Sequence, residues 1–428
     1  MIGIFLGLAI LMILAYLGWS IIWIAPIAAG VVAITGGLDL LDAYKDTYMG
    51  GFVGFAKDWF PVFMLGAIFG KLMETTHMAK SVATFLTKII GTKRAILGVT
   101  IATAILTYGG VSLFVVVFAV YPIALTLFRE ADISRKILPA TIALGALTFT
   151  MTALPGTPQI QNLIPMNYFE TSPAAAPILG IIATIVMAGG GYVYLIWREN
   201  KLRAKGYHFI EPEKQKTENE MEEKTPNFIL SVLPLLTVLI TLNFLNFDII
   251  VALLSGIALL ILLNLHKVKA FVQSINEGAT GSVTAIINTS AAVGFGTVVK
   301  AVPGFNVLTD WLLGIKGSPL ISEAVAVNVL SGATGSASGG LGIALEALGS
   351  KYYELALETG TNPEAFHRVA SLSSGGLDAL PHNGAVLTLL LVTGMSHKES
   401  YKDIAVIAIV IPIIATIVVI LAALLGIN

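Results

Sequence analysis

Asp378 and His382 stand four residues apart in the run Asp378-Ala-Leu-Pro-His-Asn-Gly384. On a continuous helix that spacing shares one face, although Pro381 lies between them. Histidine changes charge nearest neutral pH, so the two form a candidate proton-coupling pair. A plainer alternative stands beside it: Asp378 caps the helix that follows and His382 bonds a carbonyl. A second run of the same kind, Thr152-Ala-Leu-Pro-Gly-Thr-Pro-Gln159, lies earlier in the chain. Proline removes a backbone donor and glycine frees φ, so both runs unwind a helix. The N–H groups at a new helix start favour an anion; the alternative is a proline kink in a spanning helix.

Polar side chains gather around both breaks: Thr148, Thr150, Thr152, Thr157, Gln159, Gln161 and Asn162 at the first, and Ser371, Ser373, Ser374, Asp378, His382 and Asn383 at the second. In apolar surroundings such residues face a cavity. Two further stretches, Thr107–Ser112 and Gly332–Gly340, are rich in glycine and hydroxyls. Gly109, Gly110, Ser112, Gly335, Ser336 and Ser338, together with Thr157, Gln159 and Asn383, are the candidate substrate-binding residues. Their amide and hydroxyl groups suit a carboxylate and the hydroxyls of a polyol acid. Small residues also let helices pack closely in membranes, which is the structural alternative. Glu323, Asn328 and Glu346 flank the second stretch, and each could sit at a membrane edge. His77, His208, His266, His367 and His397 are expected in loops or at span ends, in solvent.

The elements that must position these residues are membrane spans. Of 428 residues, 56% are apolar and 12% charged, and mean hydropathy is +0.86. Soluble domains carry roughly 25% charged residues. At about 20 residues per span, the apolar content fills about ten to twelve segments. A net charge of −1 provides no basic surface for nucleic acid. With no cysteine, disulfides, thiolate metal sites and thiol catalysis are excluded; no cofactor or metal is expected. Met1–Tyr16 lacks a basic start and a cleavage site, so it is expected to be a retained first span.

Arg198–Asn227, with seven basic and seven acidic residues, is a solvated linker. The flanking halves, 1–197 and 228–428, align at a constant offset of 226: Gly30 with Gly256, Phe69-Gly70 with Phe295-Gly296, Gly109 with Gly335, Ser112 with Ser338, and Ala153-Leu-Pro155 with Ala379-Leu-Pro381. The expectation is one supersecondary unit used twice. Leu38–Lys57 and Leu265–Ser282 are expected as interface helices or loops. Ala95–Phe128 is too long for one span and too short for two with a proper loop, so it and its counterpart are expected as re-entrant hairpins with tips in a polar cavity. Each half then crosses five times, and the odd number inverts the second copy. The expected fold is an all-α polytopic membrane protein of about ten spans plus two hairpins. With the linker in the cytoplasm, Lys and Arg divide 19 inside to 6 outside, which places both termini outside.

Ser374-Gly-Gly-Leu-Asp-Ala-Leu-Pro-His-Asn-Gly-Ala-Val386, Thr393-Gly-Met-Ser-His-Lys-Glu-Ser-Tyr401, Met49-Gly-Gly-Phe52 and Phe69-Gly-Lys71 resemble the gluconate:proton symporter (GntP) family. The resemblance spans the whole chain. It implies the architecture of the ion-transporter superfamily: a dimer with a scaffold and an elevator-like transport domain of hairpins and broken helices. It also implies symport of a small hydroxy-carboxylate, gluconate-like or a short acid such as 3-hydroxybutyrate. Broken helices in an inverted pair fit a secondary transporter independently of that resemblance. The coupling ion is expected to be a proton, with sodium as the alternative; the membrane is the inner or plasma membrane. A passive anion channel is a weaker rival. A Ser–His protease built on Ser112 is disfavoured because Ser338 duplicates the serine and such a dyad needs one nucleophile.

Overall fold

The computed structural model describes residues 2–17, 19–212, 226–307, 318–381 and 383–427, and every element among them is helical. In the first half, α1 is Ile2–Tyr16, α2 Ile21–Gly36 and α3 Leu40–Thr75; α4 is Met78–Ile90, α5 Ala95–Tyr108 and α6 Leu113–Glu130. The interrupted segment follows as α7 Leu138–Ala146, α8 Phe149–Thr152, α9 Ile160–Leu163 and α10 Met166–Phe169, and α11 Pro177–Arg203 ends the half. The second half holds α12 Phe228–Asn243, α13 Ile249–Leu263, α14 Leu265–Ala301, α15 Pro319–Thr334 and α16 Ala337–Thr359. It closes with α17 Pro363–Ser374, α18 Gly384–Thr393 and α19 His397–Leu424. The offset of 226 maps α2 onto α13, α3 onto α14, α5 onto α15 and the α5–α6 turn onto the α15–α16 turn.

Helices α3 and α14 are 36 and 37 residues long, about 54 Å at 1.5 Å per residue. They exceed the roughly 30 Å hydrocarbon core. Leu38–Lys57 and Leu265–Ser282 are therefore largely the opening turns of these helices, where the sequence pointed to separate interface helices or loops. The two helices lie antiparallel: Gly51 meets Thr297 near one end, while Lys71 Nζ pairs with Glu277 at 3.3 Å and Ser274 Oγ donates to Thr75 Oγ1 at 2.9 Å near the other. Between them, a Cβ on Gly278 would come within 2.7 Å of the Ile68 Cα, so only glycine permits this approach.

An amphipathic helix follows α3. α4 buries Met78, Ala79, Val82 and Ala83, and it meets the following helix at a bend of 100°. The two hairpins follow the expected breaks. With 14 and 16 residues, α5 and α15 reach about 21–24 Å, too short to cross alone. Ser336, the N-cap of α16, accepts from the Gly339 N–H and fixes the second turn.

Candidate functional site

The first break begins earlier than its prolines. Thr148, with φ −119° and ψ −113°, interrupts the helix after α7. Threonine hydroxyls bridge the interruption: Thr148 Oγ1 donates to the Leu144 carbonyl at 2.6 Å and Thr150 Oγ1 to that of Gly145 at 2.7 Å. Thr157 Oγ1 then donates to the Thr150 carbonyl at 2.7 Å, closing the loop on itself. Gly156 sits at φ +79°, and its carbonyl accepts from Asn243 Nδ2 at 2.9 Å. Beyond the break the chain makes only two single turns, α9 and α10, separated at Pro165. The half-helix N-terminus expected here is absent, since four residues align too few peptide dipoles.

Each hairpin turn is tied to the break of its own half by a side-chain amide. Gln159 Nε2 donates to the Thr107 carbonyl at 2.6 Å, and Tyr108 Oη donates to that of Pro155 at 2.9 Å. Gly109 and Gly110 form the turn, and Ser112 begins α6 beside Gly70 of α3. In the second half, Asn383 Nδ2 donates at 3.0 Å to the carbonyls of both Gly335 and Asp378. Its Oδ1 accepts from the Val386 N–H at 2.9 Å. Asn383 is thus the cap of α18, the role the sequence offered to Asp378. Asp378 itself is buried in a 3-10 turn, Leu377–Ala379. Ser338 Oγ lies 3.4 Å from Ser336 Oγ and 3.3 Å from Thr289 Oγ1 of α14. His382 falls outside the described residues.

The two breaks touch. A Cβ on Gly375, at the end of α17, would come within 2.9 Å of Thr152 Cγ2. Ser371 Oγ donates to the Thr152 carbonyl at 2.9 Å, and so does Arg368 Nη1, at 3.2 Å. Arg368 also donates to Asn162 Oδ1 at 3.0 Å and to the Ala175 carbonyl at 2.7 Å. Its neighbour His367 bonds Thr171 Oγ1 through Nδ1 at 2.6 Å and Asn162 Oδ1 through Nε2 at 3.2 Å. Arg368 and His367 have no exposed surface. This corrects the expectation that His367 is solvated, and Arg368, one of the six basic residues counted outside, is no loop charge. Their signal was present in the spacing, because Glu364, His367, Arg368, Ser371 and Ser374 form one helical face.

Around these contacts several polar atoms are buried without a hydrogen-bond partner. They include the hydroxyls of Thr107, Ser290, Ser331 and Ser373 and Gln161 Oε1. Buried polar groups in proteins are nearly always paired, so these atoms are open to a further hydrogen-bond partner. Glu346, flanking the second hairpin, accepts from Tyr168 Oη at 3.2 Å, and Asn328 Oδ1 accepts from the Leu377 N–H at 3.3 Å.

Interrupted helices bonded to polar turns, inside helices otherwise apolar enough for a bilayer, define a multi-pass membrane transporter. The family model for GntP family permeases matches residues 1–246. The chain is 41% identical to the uncharacterized transporter YxjC of Bacillus subtilis, over 95% of each chain. It is 25% identical to an uncharacterized transporter of Haemophilus influenzae, over 83% of this chain and 82% of that one. The crystal structure of the Alcanivorax borkumensis YdaH transporter shares its fold, with a TM-score of 0.61 at 13% identity, covering 91% of this chain and 90% of that one. The chain belongs to the GntP permease family.

Proposed function

We propose that the protein is a proton-coupled symporter of a small hydroxy-carboxylate, a gluconate-like sugar acid or a short acid such as 3-hydroxybutyrate, working as an elevator. The observation that carries this reading is the meeting of the two breaks at Thr152 and Gly375, each tied to its own hairpin turn by Gln159 or Asn383. Unpartnered hydroxyls border the same region, and the buried Arg368 lies beside the first break. Hydroxyls and amides recognise the polyol and the carboxylate. The positive charge of Arg368 lowers the cost of bringing an anion to this depth. Residues 1–197 and 228–428 are inverted repeats joined by a cytoplasmic segment at 198–227, whose first residues, to Arg203, continue α11, with both termini outside the inner or plasma membrane. The antiparallel arrangement of the equivalent helices α3 and α14 supports the inversion. Two copies form the working dimer.

Asp378 and His382 are the proposed proton carriers, and sodium bound by freed carbonyls is the alternative. Uptake of labelled gluconate, 3-hydroxybutyrate and related acids into proteoliposomes, with proton and sodium gradients imposed separately, tests the reading. Accumulation of one hydroxy acid under a proton gradient alone is expected. A strict sodium requirement moves the coupling to sodium, and transport indifferent to both gradients makes the protein a passive channel.

A further inference from the structure

Glu323 lies in α15, the first arm of the second hairpin, and has no exposed surface. Neither of its carboxyl oxygens has a hydrogen-bond partner. Its surroundings offer no cation among the described residues. From α16, Tyr352 is the titratable group in electrostatic contact with it, and the Tyr352 hydroxyl lies 2.9 Å from that of Ser322. From α17, His367 and Arg368 are directed to Asn162 and the first break, and Glu364 accepts from the Ala176 N–H at 2.8 Å. The 3-10 turn that carries Asp378 meets α15 further along, where Leu377 bonds Asn328. Helix α1 has no charged residue, and neither does the Ile411–Leu424 end of α19.

An unpaired carboxylate buried inside a membrane protein is costly, and such groups shed their charge. Packing alone does not ask for a carboxyl here, because the offset of 226 places Leu97 at the equivalent position of the first hairpin. The acid is confined to one hairpin of the pair.

We propose that Glu323 is a proton-binding site of the second hairpin, neutral while α15 is packed as in this structure and ionised when the arm opens to water. Hairpin opening is then linked to proton release at a position distinct from Asp378. The inference rests on the second hairpin moving during transport, as the elevator reading has it.

Infrared spectroscopy of the purified protein in lipid, titrated from acid to alkaline pH, reads the carboxylic acid directly and needs no substrate. At neutral pH the native protein and Asp378→Asn should both show a protonated-carboxyl band that Glu323→Gln lacks and Glu323→Asp shifts. In a second measurement, exchange of labelled gluconate or 3-hydroxybutyrate across proteoliposomes is followed against pH. The native profile should carry, besides the contribution of the second break, a component from Glu323 of up to about tenfold per pH unit, the response of one titrating group, and Glu323→Gln should remove that component. Glu323→Asp should restore a pH-dependent rate at a displaced midpoint. A band at neutral pH unaffected by Glu323→Gln overturns the proposal, as does a native pH profile retained in that variant. If neither acid is transported, the substrate assignment fails while the infrared result still decides the state of Glu323.

Discussion

Arg368 uses its planar fork on three acceptors from separate segments: the Thr152 carbonyl, Asn162 Oδ1 and the Ala175 carbonyl. Losing a partner leaves a buried polar group unsatisfied, at about 1–3 kcal/mol each. Arg368→Met should therefore lower the thermal unfolding midpoint in detergent, measured by tryptophan fluorescence, and should abolish uptake. Arg368→Lys keeps the charge but cannot reproduce the fork, so it should recover little of either. Full rescue by lysine would mean that charge alone matters at this position. The residue also shows where sequence reasoning stopped short. The charge count placed it outside, whereas its helical register with Glu364 and Ser371 points inward. The breaks and hairpin turns were legible because proline, glycine and hydroxyls announce them locally. The partners of Arg368 lie about 200 residues away in sequence, and no local pattern encodes them.

Elements are held by similar long-range polar contacts. Arg198, at the cytoplasmic end proposed for α11, pairs with the fully buried Asp403 of α19 through Nε at 2.7 Å. Tyr194 Oη donates to the same oxygen, also at 2.7 Å. Removing one partner of a buried pair strands the other charge, typically at about 3–5 kcal/mol. Arg198→Ala should destabilise the protein by that order in thermal unfolding, and combining it with Asp403→Asn should recover part of the loss. Additive losses would show that the two residues do not act as a pair. Capping residues start several helices, as at Asp39, Asn227, Asp248 and Asn362, whose side chains accept from the first turn; the spans were placed by hydropathy, without use of these caps. The continuity of α3 and α14 was not readable. Their opening turns are mildly polar, and hydropathy cannot distinguish a helix leaving the bilayer from a separate interfacial one.

At the scale of the whole molecule, orientation follows from charge. Removing the buried Arg368 from the external count leaves 19 basic residues inside against 5 outside, which sharpens the bias behind the proposed topology. The Cys-free chain permits single-cysteine labelling without further changes. A cysteine at Pro212 should react with an impermeant maleimide only in opened cells, and one at Lys45, between the second and third spans, should react in intact cells. Labelling of both from outside would exclude the inverted arrangement.

The proposed coupling also belongs to the whole molecule, and it rests on a difference between the two halves. A symporter must bind its driving ion in the state that favours substrate, and a proton arriving with an anion lowers the charge carried into the protein interior. The first break places Thr152 where the second has Asp378. Asp378 is buried beside the loop that Asn383 ties to the hairpin turn, so its protonation can be felt by both. Asp378→Asn keeps the shape and removes the titration. It should retain exchange of labelled substrate across a vesicle membrane while losing accumulation driven by an inward proton gradient. His382→Ala should displace the pH dependence of uptake even where some transport survives. Normal proton-driven accumulation in both variants would take the coupling away from the second break and leave Asp378 as part of the cavity wall.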